Sequence, residues 1–509
     1  AHYFVTLDHL FIHSFVQSIL FVLQLLNNCA PLITFFNSCT VMLAFALAFT
    51  LGFALAFTPA PPRTLSPMSN NSYALGFDFG TSGVRCVVID AAGVIVACPA
   101  SKVWGAGREE RQESDDWEVA LFSQLESLPK EVRSRVSRIA ISGTSGSVLL
   151  VSGDGCGEPV KSRGRPRMYN FSVTKQAAGD SGSLALALIA KYSPEGPAYS
   201  ATSSLAKMLA YHFDRPLIMD QRLAHQADFL ASRLTGSQII TSDWHNSLKL
   251  GFDVNSLTYP NWMTTGEVGR ILNGRLPSVV RPGEPIAPVS ASNIAKYGLS
   301  SDCIVVGGTT DSIAAFLAAG ASEVGDAVTS LGSTVAIKLL SDTPVNDASS
   351  GIYSHRLGDR WLVGGASNAG CRVLRELGFS DQELVELSEN FDPLVEPPVT
   401  DYYPLPSSVV GDRFPHPNQD AVGKLEPVPE DRAAFLHCIL HGIAALEAEG
   451  YRALAARGSP KLRKVFTSGG GSRNEKWRLL RERMLGVPTL RAANIDAAFG
   501  AAILAARGI

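Results

Sequence analysis

Four short runs carry the residues that could do chemistry. Asp78-Phe79-Gly80-Thr81-Ser82-Gly83 sets a carboxylate ahead of a turn made of two glycines and two hydroxyls. The backbone N–H groups of such a turn, with no bulky side chain in the way, can hold a phosphate. Asp78 enters from the preceding strand and could hold a metal ion. Leu331-Gly332-Ser333-Thr334 repeats the glycine and hydroxyl pattern. Gly308-Thr309-Thr310-Asp311 places an acid where a helix opens, and the helix dipole favours an anion there. Ser468-Gly469-Gly470-Gly471-Ser472-Arg473, just before Asn474, lets a flat or charged ligand come close to the backbone. Each run also has a plain structural reading. The first is an ordinary hairpin whose Thr and Ser bond their own backbone, Asp311 is an N-cap, and the triple glycine is a flexible connector. Short Gly/Thr/Ser motifs recur by chance, so the first run alone favours a plain turn; its echo at Leu331 to Thr334 and the triple glycine reverse that judgement.

These runs must be positioned by strands and helices. Residues 74–79 and 84–89 are apolar, β-branched and aromatic, and predict a tight hairpin around Gly80 to Gly83. Gly93 turns the chain into a third strand at 94–98. Ser114-Asp115-Asp116-Trp117-Glu118 reads as a helix start, with Ser114 as cap and the helix running to about 128. A strand at 136–142 ends in Gly143-Thr144-Ser145-Gly146. A further hairpin follows, 148–151 and 158–160 around Gly153-Asp154-Gly155. This order predicts an α/β fold with an antiparallel start, not the alternating order of a Rossmann unit. Residues 173–275 read as mainly helical, with helices at 183–191, 203–212 and 219–234, the last closing at Thr235-Gly236. A buried strand from 304 leads through Gly307-Gly308-Thr309-Thr310 into a helix opened by Asp311-Ser312. Strands at 327–331 and 335–340 form a second hairpin.

Laid on the first hairpin with Gly332 on Gly80, the second puts Ser333-Thr334 on Thr81-Ser82, Asp342 on Asp90 and Ser330 on Asp78. One unit copied, with the carboxylate kept in one half, suggests a two-domain clamp around one ligand. The terminal helix, 495–506 with Gly500 inside it, is expected to pack on the same sheet as the triple-glycine turn.

The chain has 509 residues, 46% hydrophobic and 18% charged, enough for two or more sizeable cores. A formal net charge of -3 predicts no nucleic-acid partner, which needs a basic face. Beyond residue 72 the cysteines are scattered, with no C-x-x-C pair; they read as buried thiols in a reducing compartment rather than a zinc site or disulfide framework. The front differs from the rest. Residues 1–57 carry a single acid, Asp8, and no Lys or Arg, and 41–57 is almost wholly apolar. An apolar core ahead of Thr58-Pro59-Ala60-Pro61-Pro62-Arg63 reads as a signal and transit segment, with Ala56-Phe57-Thr58-Pro59-Ala60-Pro61 resembling the cleavage motif of proteins sent to plastids bounded by extra membranes. A membrane anchor is the competing reading. Met42 is a plausible start. Residues 1–72 are left out of the fold, and the expected location is a plastid, with the cytoplasm as alternative and no stable membrane association of the mature form.

The four runs, in this order, resemble the FGGY family of carbohydrate kinases over about residues 73–509. The resemblance implies two actin-like ATPase (ribonuclease H-like) domains with a cleft between them, 73–323 and 324–509. It implies that Asp78, Gly80, Thr81 and Ser82 form the first phosphate motif and Gly332, Ser333 and Thr334 the second. Gly469, Gly470, Gly471 and Asn474 match the adenosine motif, and Gly308-Thr309-Thr310-Asp311 the segment supplying the catalytic base, Asp311. Met168-Tyr169-Asn170 and Ser242-Asp243-Trp244-His245-Asn246 are similar to pentulose kinases, above all the plant and cyanobacterial D-ribulose kinase (xylulokinase-like) group, in which Asp78 and Ser145 would line the sugar pocket. One departure is Phe171-Ser172-Val173, where many members carry an Asp and an Arg that bind sugar hydroxyls. The activity implied is ATP-dependent phosphorylation of a primary sugar hydroxyl, with ATP and Mg²⁺ as cofactors, Asp78 near the metal and Asp311 taking the hydroxyl proton. A xylulose or other polyol kinase, another actin-fold ATPase and a non-catalytic ATP-binding module remain as alternatives.

Overall fold

The computed structural model describes residues 66–508 apart from 106, 108–111, 154–156 and 194. The targeting segment expected at the front and part of the turn at 153–155 fall outside these residues. Among the described residues no helix is long and apolar enough to cross a membrane.

The first sheet is built on β1 (Tyr73–Phe79), β2 (Gly83–Ile89) and β3 (Val136–Gly143). Every residue of β1 and β3 is buried, as expected of central strands covered on both faces. β1 pairs antiparallel with β2 and parallel with β3. Ile95–Ala97 extends the sheet beyond β2, and Ile304–Val306 and Pro285–Pro288 extend it beyond β3. Thr309–Thr310 adds a short parallel pairing at the end of β3. Helix α1 (Ser114–Ser127) covers one face with Trp117, Leu121 and Leu125. Its N-cap is Glu113, one residue before the expected Ser114, because Glu113 and Asp116 form a reciprocal capping box.

The hairpin expected from 148–151 to 158–160 forms as a short pairing: Ser152 N donates to Glu158 O (2.7 Å) and Val160 N to Leu150 O (2.9 Å) on either side of a bridge between Val151 and Pro159, which has no N–H to extend the ladder. One expectation about the next region needs correction. Strand Val148–Ser152 pairs more extensively with Gln221–His225, antiparallel over five pairs. The helix expected at 219–234 therefore starts only at Gln226 and runs to Thr235, with Gly236 left-handed at its end. Cross-strand pairing with a β-branched edge outweighs the mild helix preference of Gln-Arg-Leu-Ala. The remaining helices, Ser181–Ala190 and Ser204–Asp214, stand close to where they were read.

Helix α2 (Asp311–Ala319) leads to the second sheet. This contains β4 (Asp326–Leu331), β5 (Val335–Ser341) and β6 (Lys464–Ser468) in the order Tyr353–Leu357, Arg360–Ser367, β5, β4, β6, Thr489–Arg491. β4 pairs antiparallel with β5 and parallel with β6, so the two sheets share one topology and the repeat in the sequence is real. The repeat slips after the turn. Phe79 pairs with Val84, whereas Leu331 pairs with Val335, so the second turn is one residue shorter. Asp78 faces Arg85 and Ser330 faces Ala336. Asp90 consequently corresponds to Ser341, not Asp342.

Helices α3 (Arg432–Ala456) and α4 (Glu475–Leu485) pack against the second sheet. A buried polar network ties them to it. Arg481 makes a bidentate pair with Glu447 (Nε–Oε2 2.6 Å, Nη2–Oε1 2.7 Å) and donates to Thr467 Oγ1 at 2.8 Å. Thr329 donates to Glu447 Oε1 at 2.5 Å and lies 2.8 Å from the Tyr451 hydroxyl. Thr329 and Thr467 precede the two glycine turns of this sheet, so the network fixes the strands from which both turns leave.

The last helix, α5 (Ala497–Arg507), does not pack on the second sheet as expected. It lies on β1 and α2, its alanines clustering with Ala74, Val87, Ile89, Ala140 and Val306. The approach is set by two glycines: a Cβ on Gly76 would come within 2.1 Å of Ala502 N, and one on Gly500 within 1.8 Å of Ala314 O.

Candidate active site

The ends of β1, β3 and the Thr309–Thr310 strand lie side by side. Asp78 pairs with Ser142, and Thr310 with Gly143. This register brings together the Gly80 to Gly83 turn, the Thr144 to Gly146 loop and Asp311. Asp78 is 4% exposed and accepts a hydrogen bond from Ser142 Oγ at 2.7 Å. Burial pushes its carboxyl up to about 7; the Ser142 bond opposes this, the nearby acids Asp311 and Asp496 add to it, and Arg85, 3.9 Å away, offsets a little. The carbonyls of the first turn are held by neighbours: Trp104 Nε1 donates to Gly80 O (3.0 Å), Trp104 N to Ser82 O (3.1 Å) and Gln112 Nε2 to Thr81 O (3.3 Å). With its carbonyls tied back, the turn keeps Thr81 half-buried and Ser82 exposed.

Asp311 is the first residue of α2, and the N-cap position belongs to Thr310. The plain capping role therefore does not apply. Its Oδ1 accepts from Ser312 N at 2.6 Å. Burial raises its carboxyl above the usual range, against the Ser312 N–H and the charges of Lys338 and Lys249. Lys338 comes from β5 of the second sheet and donates to Ser312 O at 2.8 Å. Lys249 donates to Ser145 O at 3.3 Å. Burial lowers both lysines, Lys338 to about 8.

Ser145 stands half-buried above a buried layer in which Thr144 and Ser147 hydroxyls lie 2.5 Å apart and Gln226 Oε1 accepts from Thr144 N at 3.1 Å. Lys207, fully buried, donates to Gly146 O and Met168 O, each at 2.7 Å. It joins the Ser145 loop to the Met168-Tyr169-Asn170 segment. Phe171 lies 5.0 Å beneath the guanidinium of buried Arg167. In the segment from Ser242 to Asn246, Asp243 caps a short helix. His245 spans the two sheets there, with Nδ1 2.8 Å from Thr309 Oγ1 and Nε2 2.6 Å from Arg356 O. Burial lowers His245 to about 4, so at neutral pH Nε2–H donates to Arg356 O and Nδ1 accepts from Thr309.

On the second sheet the Gly332 and Gly469 turns leave adjacent strand ends, since Ser330 pairs with Ser468. Gly332 N donates to Thr334 O (3.1 Å), and Cys371 N to Gly332 O (2.8 Å). Gly469 has φ 84°, and a Cβ there would lie 2.5 Å from Leu331 O. Gly471 is closed by Trp477 and Leu331, whereas a Cβ on Gly470 meets nothing within 4 Å. The triple glycine is therefore no loose connector: its outer members are packed and its middle one borders open space. Asn474 caps α4 through Oδ1 to Trp477 N (2.9 Å) and donates to Ser388 Oγ (2.7 Å).

The structure thus gathers Asp78, Thr81, Ser82, Ser145 and Asp311 at one set of strand ends and Gly332 to Thr334, Gly469 to Gly471 and Asn474 at another. Sequence reasoning did not single out Ser142, Lys207, Lys249 or Lys338. A lysine between two leucines, as in Leu248-Lys249-Leu250, and one inside a run of helix residues that are otherwise apolar, as at Lys207, were the available signals.

Two sheets of one topology, each ending in a glycine turn, define an actin-like nucleotide-binding fold. Residues 327–509 match the model for the C-terminal domain of the FGGY family of carbohydrate kinases. Among solved structures, a xylulose kinase from Brucella ovis superposes with TM-score 0.71 at 22% identity, covering 86% of this chain and 91% of that one. A gluconate kinase from Lactobacillus acidophilus gives TM-score 0.68 at 18% identity (86% and 89% covered), and the Plasmodium falciparum glycerol kinase with ADP gives 0.69 at 17% (86% and 90%). The fold is that of the FGGY sugar kinases, with two actin-like ATPase domains. The carbohydrate-kinase domain in its second half makes the chain a phosphotransferase.

Proposed function

We propose that the chain transfers the γ-phosphoryl group of ATP to a primary hydroxyl of a pentulose, with D-ribulose as the first candidate. The observation that carries this reading is the placement of Asp311. It borders the Ser145 loop and Asp78, and Lys338 from the nucleotide-side sheet bonds the residue next to it. A base must reach the proton it takes, and an acid between the two sheets meets that need. Burial makes the Asp311 carboxylate more basic, and the charges of Lys338 and Lys249 partly oppose that rise. Most of the work in phosphoryl transfer is positioning and charge stabilisation. Thr81, Ser82, Ser333 and Thr334, with their turn N–H groups, would hold phosphate oxygens.

Asp78 suits Mg²⁺: it is an oxygen donor, buried, and crowded by other carboxylates. Among the described residues no three His, Cys, Asp or Glu side chains form a metal cage, which fits an ion that takes one or two carboxylates and otherwise phosphates and water. When bound, the ion would neutralise phosphate charge.

Gly470→Val fills the open space at the middle of the triple glycine. It is expected to raise KM for ATP roughly tenfold, about 1.4 kcal/mol, with little loss of thermal stability, since the added Cβ meets no protein atom within 4 Å. An unchanged KM would sink the adenosine assignment.

The test of the function itself is a coupled assay of ADP release over ribulose, xylulose, ribitol and glycerol. Ribulose should give the highest kcat/KM. Sugar-independent ATP turnover, with no stimulation by any member of the panel, would overturn the kinase reading.

A further inference from the structure

We infer that Lys249 is a specificity-determining residue that makes the pocket prefer an open-chain 2-ketose to the matching alditol, by donating to the ketone oxygen beside the reacting hydroxyl. The inference rests on the sugar-kinase reading above. Lys249 is half-buried, and its ammonium lies against Ser145 O and within electrostatic reach of Asp311. It therefore sits between the residue proposed to line the sugar pocket and the one proposed to take the proton. The loop it touches is held from below: Lys207 fixes Gly146 O and Met168 O, and a Cβ on Gly146 would rest 3.4 Å from Lys249 Cδ.

An ammonium has three N–H donors and no acceptor. One is taken by Ser145 O. A ketone oxygen accepts and has no proton to place. An alditol hydroxyl at the same point can accept from Lys249 too, but its own proton then needs an acceptor. The nearby cation, Lys207, offers none, Asp311 is engaged by the reacting hydroxyl, and Asp78 already accepts from Ser142 Oγ and is assigned to the metal ion. A buried hydroxyl left without a partner is disfavoured by roughly tenfold or more.

The Lys249 charge also opposes the rise of the Asp311 carboxyl, which gives a second readout. The experiment compares wild type, Lys249→Met and Lys249→Gln on ribulose and ribitol, across pH. Wild type should favour ribulose by about tenfold or more in kcat/KM. Lys249→Met should bring that ratio near one, leave KM for ATP unchanged and move the acid limb of the rate profile to higher pH. Lys249→Gln, which keeps amide donors, should hold an intermediate ratio. A ratio unchanged in Lys249→Met, or a wild-type ratio near one, would overturn the inference alone. Failure of wild type to phosphorylate any sugar would remove the kinase reading and the inference with it.

Discussion

Asp311→Asn should lower kcat about a thousandfold or more while nucleotide affinity stays within a factor of two. General-base contributions run at roughly 10²–10⁴, and Asn keeps the shape of the side chain and the acceptor for Ser312 N but cannot take a proton. The nucleotide turns, Gly332 to Thr334 and Gly469 to Gly471, belong to other strands and gain or lose no contact. Calorimetric titration with an ATP analogue checks the binding, and ribulose-dependent ADP release checks the turnover. A purified variant with wild-type kcat would show the base assignment to be wrong. The pH profile sharpens the test. The raised Asp311 carboxyl must be deprotonated to act, so wild-type activity is full above its folded value and falls as pH drops through it. The residual rate of the variant should lack that limb.

The largest effect on stability is expected at Glu447. Glu447→Ala leaves Arg481, 1% exposed, without its bidentate partner and takes an acceptor from Thr329. Breaking one partner of a buried pair costs about 3–5 kcal/mol. Urea denaturation should show a loss of that size; a loss under about 1 kcal/mol would mean that Arg481 finds another acceptor or water. Replacing both members, Glu447→Met with Arg481→Met, should recover much of it, because no buried charge is then left alone. Since the network holds Thr329 and Thr467 ahead of the two glycine turns, ATP affinity of the single variant should also fall.

What could be read from the residues, and what could not, divides along physical lines. The glycine turns were legible because apolar β-branched runs on either side leave few alternatives to a hairpin or a strand-to-helix turn. Asp78, Ser145 and Asp311 follow such runs directly and were placed correctly at strand or helix ends. Gln221–His225 was misread as helix because its partner strand lies far away in sequence and local propensity carries no trace of it. The shift of Asp90 onto Ser341 came from one missing turn residue, which an ungapped overlay cannot see. The cations around Asp311 were missed for a related reason: Lys249 and Lys338 come from segments with no motif of their own, and only the fold brings them to one carboxylate.

Helix α5 has a consequence for biosynthesis. β1 is translated long before α5, with the whole second sheet made in between. Until α5 emerges from the ribosome, the Gly76 face of the first sheet, with Ala74, Val87, Ile89, Ala140 and Val306, lacks the alanine-rich helix that closes it. The nascent first half thus carries a bare apolar surface of the kind that chaperones recognise and that aggregates if left exposed. Its final packing waits until α5 has been made, and a chain released early by a premature stop before residue 497 would leave not one damaged half but two.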